Sequence, residues 1–106
     1  MVEESIVAII QRYLAQLVSL GIHAHSAVLF GSYALGTASE HSDIDLVVIA
    51  PEFDASKDIS LVKALWHAAS VDTRIEPIPC GELEWQKEEG RPILDIARRD
   101  GILITR

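Results

Sequence analysis

The chain has 106 residues, 49% hydrophobic and 24% charged, with sixteen acids against nine Lys and Arg and a net charge of −7. That size and balance predict one globular domain with a modest core and exclude a disordered chain. An acidic chain without a basic stripe argues against stable nucleic-acid binding, and no apolar run approaches the length of a membrane span.

The lone cysteine, Cys80, excludes an intramolecular disulfide and fits a reducing compartment, so a cytoplasmic location is expected. Residues 3–20 carry Ile6, Ile9, Ile10, Tyr13, Leu14, Leu17 and Leu20 at steps of three or four. This spacing predicts an amphipathic helix stopped by Gly21, and it does not read as a signal peptide. Residues 25–30 are apolar and β-like. Gly31 to Leu35 reads as a helical turn, Thr37 to Ser42 as a polar loop, and 43–50 as a second strand. Its continuous Ile, Leu and Val after Asp45 predict a central place in the sheet.

The stretch from Leu29 to Ile49 holds the chemistry. Asp43 and Asp45 are two apart on a strand, so both project to one face while Ile44 turns to the other. Two such carboxylates repel each other unless a cation lies between them, and oxygen ligands of this kind suit Mg²⁺. Gly31 permits close approach of the backbone to a ligand, and Ser32 offers an N–H and a hydroxyl to a phosphate. A lone Asp-x-Asp or Gly-Ser is more often a plain strand end or turn. The conjunction of the two, each at the end of a β-like run, favours a metal clamp facing a phosphate cradle.

Further along, Pro51 to Lys57 reads as a connecting loop. Residues 58–69, with Ile59, Leu61, Val62, Leu65 and Trp66, predict a helix capped by Asp58 or Ser56. Residues 71–78 alternate Val71, Thr73, Ile75 with Asp72, Arg74, Glu76, which predicts a third strand stopped by Pro77 and Pro79. Leu83 and Trp85 fall in a short helix or turn. A helix follows over Pro92–Arg99, broken by Gly101, and Ile102 to Ile104 reads as a last strand. The expected fold is α/β (α+β), a small mixed sheet flanked by helices.

Two-metal phosphoryl chemistry calls for a third acid. The third strand offers Glu76, set deeper in the strand, or Asp72 as the alternate. Arg74 between them either contacts phosphate or neutralises the acids. His23, His25, His41 and His67 have no zinc-like spacing with Cys80. His41 reads as an exposed loop residue, Tyr33 and Phe30 as packing residues, and Trp66 and Trp85 as core or interface aromatics. Ser42 reads as a side chain that orders the loop through the backbone.

Gly31-Ser32, a ten-residue interval and Asp43-Ile44-Asp45 together resemble the signature of the DNA polymerase β-like nucleotidyltransferases, in their minimal nucleotidyltransferase (MNT) branch. Tyr33-Ala34 and Gly36 resemble the usual filling of that motif. The resemblance implies a palm fold and Mg²⁺-dependent transfer of a nucleoside monophosphate, with ATP as the donor. It implies Asp43, Asp45 and a third acid holding two Mg²⁺ ions, with Gly31 and Ser32 on the phosphates. It further implies an antitoxin paired with a helical HEPN-type toxin, modified on a hydroxyl. Because the chain ends soon after the palm, the acceptor site is expected from another chain. The apolar helix at 3–20 and the tail beyond residue 90 leave room for oligomerisation. The alternatives are a binding module that neutralises its partner without chemistry, and a small-molecule, aminoglycoside-like nucleotidyltransferase.

Overall fold

Three- and four-residue apolar spacing winds Glu4–Ser19 into the helix α1, with Ile6, Ile10, Tyr13, Leu14 and Leu17 buried. Its end is a glycine cap. Gly21 adopts φ 91°, its N–H bonds to the Val18 carbonyl at 3.0 Å, and the Ile22 N–H bonds to the Leu17 carbonyl at 3.0 Å. The structure is a computed structural model that describes residues 2–55, 58–87 and 90–106.

After α1 come β1 (Ser26–Phe30), α2 (Ser32–Leu35), β2 (Ile44–Ile49), α3 (Glu52–Ala55) and α4 (Ile59–Ala68). Beyond a 3₁₀ turn at Ala69–Val71 follow β3 (Ile75–Cys80), α5 (Glu82–Gln86), α6 (Pro92–Asp100) and β4 (Ile102–Thr105). The four strands form one sheet in the order β3-β2-β1-β4. β1 pairs antiparallel with β2 and with β4, whereas β2 pairs parallel with β3 across the α4 crossover. The result is a mixed α/β fold with β2 inside the sheet, as its apolar run requires.

Strand alternation divides the core in two. Ala27, Leu29, Ile44, Leu46, Val48, Ile75 and Ile104 face α1 and α4. Val28, Phe30, Val47, Ile49, Ile78 and Cys80 turn the other way, onto Leu94 and Ala97 of α6. The fully buried Tyr13 ties α1 to α4, since its hydroxyl donates to the Leu65 carbonyl at 3.0 Å.

Two segments differ from expectation. Pro51 to Lys57 is not all loop, because α3 forms within it; Ser56 and Lys57 lie outside the described residues. The acids of α3 serve distant backbone: Glu52 accepts the His23 N–H at 2.9 Å and Asp54 the Leu83 N–H at 3.0 Å. Asp58 caps α4 by accepting the Ser60 N–H at 2.9 Å.

The third strand begins later than its alternation suggested and runs through both prolines. Asp72 and Arg74 lie ahead of it in an Asx-type turn, where the Asp72 carboxylate accepts the Arg74 N–H at 3.0 Å. The Arg74 and Cys80 carbonyls accept N–H groups from Ile44 and Ala50, so the even-numbered residues of β3 bond to β2. Pro77 and Pro79 therefore turn their backbone toward the free edge, where a missing N–H costs the ladder nothing.

Candidate active site

At one end of the α6 face the apolar row gives way to acids. Phe30 of β1 stands opposite Asp45 of β2, and Asp45 stands opposite Glu76 of β3. Strand alternation thus places Asp45 and Glu76 on the same face as Val47, Ile49 and Cys80, with fully buried Ile44 on the reverse. Asp43 precedes β2 by one residue. Asp45 is half-buried, whereas Asp43 and Glu76 are exposed, so the acid end of the face is open to solvent. Among the described residues Glu76 has no hydrogen-bond or ion-pair partner.

Gly31 presses on this group from β1. Its φ of 75° and ψ of −151° lie in a region that only glycine adopts readily, and a methyl group there would overlap the Asp45 carboxylate. The Gly31 carbonyl accepts the Ala34 and Leu35 N–H groups, each at 3.1 Å. That leaves the Ser32 and Tyr33 N–H groups, at the start of α2, without a hydrogen-bond partner among the described residues. The half-buried Ser32 hydroxyl has no hydrogen-bond partner among the described residues.

The loop from α2 to β2 is held by its own serines and by β3. Ser42 Oγ accepts the Ser39 N–H at 2.9 Å, and the Ser42 N–H bonds to the Ser39 carbonyl at 3.1 Å. The Tyr33 hydroxyl donates to the Ser39 carbonyl at 3.1 Å and accepts from Arg74 Nη1 at 2.9 Å. Arg74 grips Asp72 in a two-point contact, Nε to Oδ1 at 3.0 Å and Nη2 to Oδ2 at 2.8 Å. Its Nη1 also reaches the Glu40 carbonyl at 3.3 Å.

Asp72 and Arg74, expected beside Glu76 on one polar strand face, are thus committed to each other. The guanidinium spends four hydrogen bonds on protein acceptors, two on Asp72 and one each on Tyr33 and Glu40. Of the two candidate third acids, Glu76 is the one brought to Asp45.

Burial raises the Asp45 carboxyl above its ordinary range, and the negative charges of Asp43 and Glu76 raise it further. Mutual repulsion of this kind is what a divalent cation relieves, and the all-oxygen donor set suits a hard ion such as Mg²⁺. In donor chemistry and charge the site fits that ion. The acids face one another at electrostatic range: among the described residues no three His, Cys, Asp or Glu side chains converge closely enough to enclose a metal unaided.

His41 is exposed, 3.5 Å from Glu40. Phe30 is buried in the core, and Trp85 packs against the same α6-side cluster with Arg98 4.8 Å above its ring. Trp66 is half-exposed on α4. Burial pushes the Cys80 thiol up to about 11, which favours the protonated thiol over the nucleophilic thiolate at neutral pH. A concavity of about 320 Å³ lined by Phe53, Leu61, Val62, Pro79 and Arg91 contains none of the three acids. The link from Tyr33 through Arg74 to Asp72 has no local signature, because Tyr33 and Arg74 lie 41 residues apart.

Comparison with known proteins points in the same direction. Residues 9–96 match the family described as "Nucleotidyltransferase domain". A 25-residue segment is 72% identical to a Methanocaldococcus jannaschii protein named "Putative protein adenylyltransferase". That match spans 24% of this chain and only 17% of the relative's length. The fold is similar to the crystal structure of "a putative nucleotidyltransferase" from Sulfolobus solfataricus. The TM-score is 0.63 at 15% identity, over 93% of this chain and 78% of that one. Among the described residues no helix is long and apolar enough to cross a membrane.

Proposed function

Because this chain belongs to the nucleotidyltransferase domain family, we propose that it transfers a nucleoside monophosphate, AMP from ATP, to a hydroxyl of a partner protein. The observation that carries the proposal is the row of Asp45 and Glu76 with Asp43 beside it and the Gly31 backbone pressed against Asp45. Asp43, Asp45 and Glu76 are the residues that would hold Mg²⁺. When bound, Mg²⁺ supplies positive charge against the phosphate oxygens and the attacking oxygen.

The rest belongs to the chain. The Ser32 N–H and hydroxyl, with the Tyr33 N–H, donate to the β- and γ-phosphates, and Gly31 lets them come close. Glu76, exposed and without a partner among the described residues, accepts the proton of the acceptor hydroxyl as the hydroxyl oxygen forms a bond to the α-phosphorus. The bond from the α-phosphorus to the bridging oxygen breaks, and pyrophosphate leaves. Positioning and charge neutralisation do most of the work in such a transfer.

A net charge of −7 disfavours a nucleic-acid acceptor, and the name of the M. jannaschii relative supports a protein acceptor and AMP. The resemblance to MNT proteins makes a HEPN-type toxin the partner of choice and this chain its antitoxin. A second reading, neutralisation by complex formation alone, draws on the fact that the described acids do not enclose a metal unaided.

The test is incubation with α-³²P-ATP, Mg²⁺ and the product of the neighbouring gene. Label on the partner that disappears with Asp43→Ala supports transfer. Neutralisation that survives Asp43→Ala with no label transferred refutes it in favour of binding alone.

A further inference from the structure

We infer that Arg74 is a positioning residue, which holds the phosphate turn, the Asp43–Asp45 strand and the Glu76 strand at their working separations without touching substrate. The inference rests on the transfer reading above, and its foundation is the number of segments that meet at this one side chain. Through its carbonyl, Arg74 accepts the Ile44 N–H at 2.8 Å, at the residue lying between Asp43 and Asp45. Two residues further along the chain, on β3, is Glu76. Its guanidinium reaches the Tyr33 hydroxyl at 2.9 Å, two residues after Gly31, and the Glu40 carbonyl at 3.3 Å in the loop that leads to Asp43.

The Asp72 carboxylate orients this fork by taking Nε and Nη2 together, and the same carboxylate accepts the Arg74 backbone N–H. Tyr33 extends the chain by donating to the Ser39 carbonyl at 3.1 Å. Arg74 and Asp72 side chains are only 29% and 17% exposed, so water competes weakly for these bonds. A guanidinium fork supplies the four donors that this set of acceptors takes and lysine does not, since an ammonium is a point charge with three donors.

The consequence is specific. Loosening Arg74 misplaces Glu76 and the loop before Asp43 relative to the phosphate turn, while leaving every proposed substrate contact chemically intact. A positioning role lowers kcat, whereas a phosphate ligand or a general loss of fold changes KM or stability instead.

Two variants test this, Arg74→Lys and Tyr33→Phe, each followed by transfer kinetics and by amide hydrogen exchange. Arg74→Lys is expected to lower kcat about tenfold or more with KM for ATP within about threefold, and Tyr33→Phe to do so more mildly. Amides of residues 31–45 and of Ile75 and Glu76 are expected to exchange about tenfold faster in Arg74→Lys, with those of α6 and β4 unchanged. Unchanged exchange in both segments, a uniform rise across the chain, or a loss expressed in KM for ATP overturns the inference. If the wild-type chain transfers nothing, the transfer reading falls by itself, and the exchange pattern alone decides whether Arg74 is the tie.

Discussion

Glu76 stands opposite Asp45 in the parallel ladder of β2 and β3, and each is the first acid on its strand to face the α6 side. Two carboxylates at matched positions on adjacent strands repel, and this pair adds to a third charge from Asp43. The fold therefore maintains a cost at this end of the sheet that an apolar pair would not carry. Such a cost is expected where a cation is to be received.

Asp45→Asn removes that cost. The Asp45 carboxyl is raised above its unfolded value, so the folded protein binds its proton more tightly, and stability declines as pH rises through the raised value. At neutral pH the variant is expected to melt a few degrees above wild type while losing transfer activity. Mg²⁺ at millimolar concentration is expected to raise the melting temperature of wild type and not of Asp45→Asn, as thermal scans with and without the ion will show.

Gly31→Ala is expected to cost about 1–3 kcal/mol in urea denaturation and to abolish transfer. The backbone conformation is closed to alanine, and the new methyl displaces the Asp45 carboxylate. Gly36→Ala is the control. Gly36 sits at φ 77°, ψ 17°, in the left-handed region with open space around it, so alanine there is expected to cost about 1 kcal/mol and retain activity.

Asp72 behaves in the opposite sense to Asp45. Hydrogen bonding from the Arg74 guanidinium, against a smaller push from burial, holds its carboxyl below the ordinary range. Its contribution to stability is complete above the ordinary carboxylate value of about 4 and is lost as pH falls through the lowered value. Asp72→Asn is expected to cost about 1.5–3 kcal/mol at neutral pH and to flatten the acid limb of the stability profile, measured by denaturation at a series of pH values.

Pro77→Val with Pro79→Val restores two N–H groups to the free edge of β3. An unprotected apolar edge invites pairing with another chain. The double variant is expected to self-associate in a concentration-dependent way by light scattering after size exclusion, under conditions where wild type elutes at a smaller mass.

Much of this architecture is legible in the chain. The three- and four-residue spacing of Ile6 to Leu17, the glycine stop at Gly21 and the Asp58 cap are local features, and each forms where its local chemistry predicts. The Gly31-Ser32 turn and the Asp43 and Asp45 pair likewise sit at strand ends, because a short run of apolar residues, a glycine and an acid pair dictate their own geometry. The alternation over 71–78 misled for a local reason of its own. Asp72 folds its side chain onto the Arg74 N–H and makes a turn where the periodicity suggested extended chain.

By itself the sequence determined the two strands of the motif and the glycine turn that ends the first of them, which depend on neighbours in the chain. Which acid stands beside Asp45, and which pairs with Arg74, was decided only by tertiary structure. The register of β3 against β2 follows from how the α4 crossover packs on the sheet. A shift of one residue would turn Glu76 to the other face, so no local pattern carries that choice.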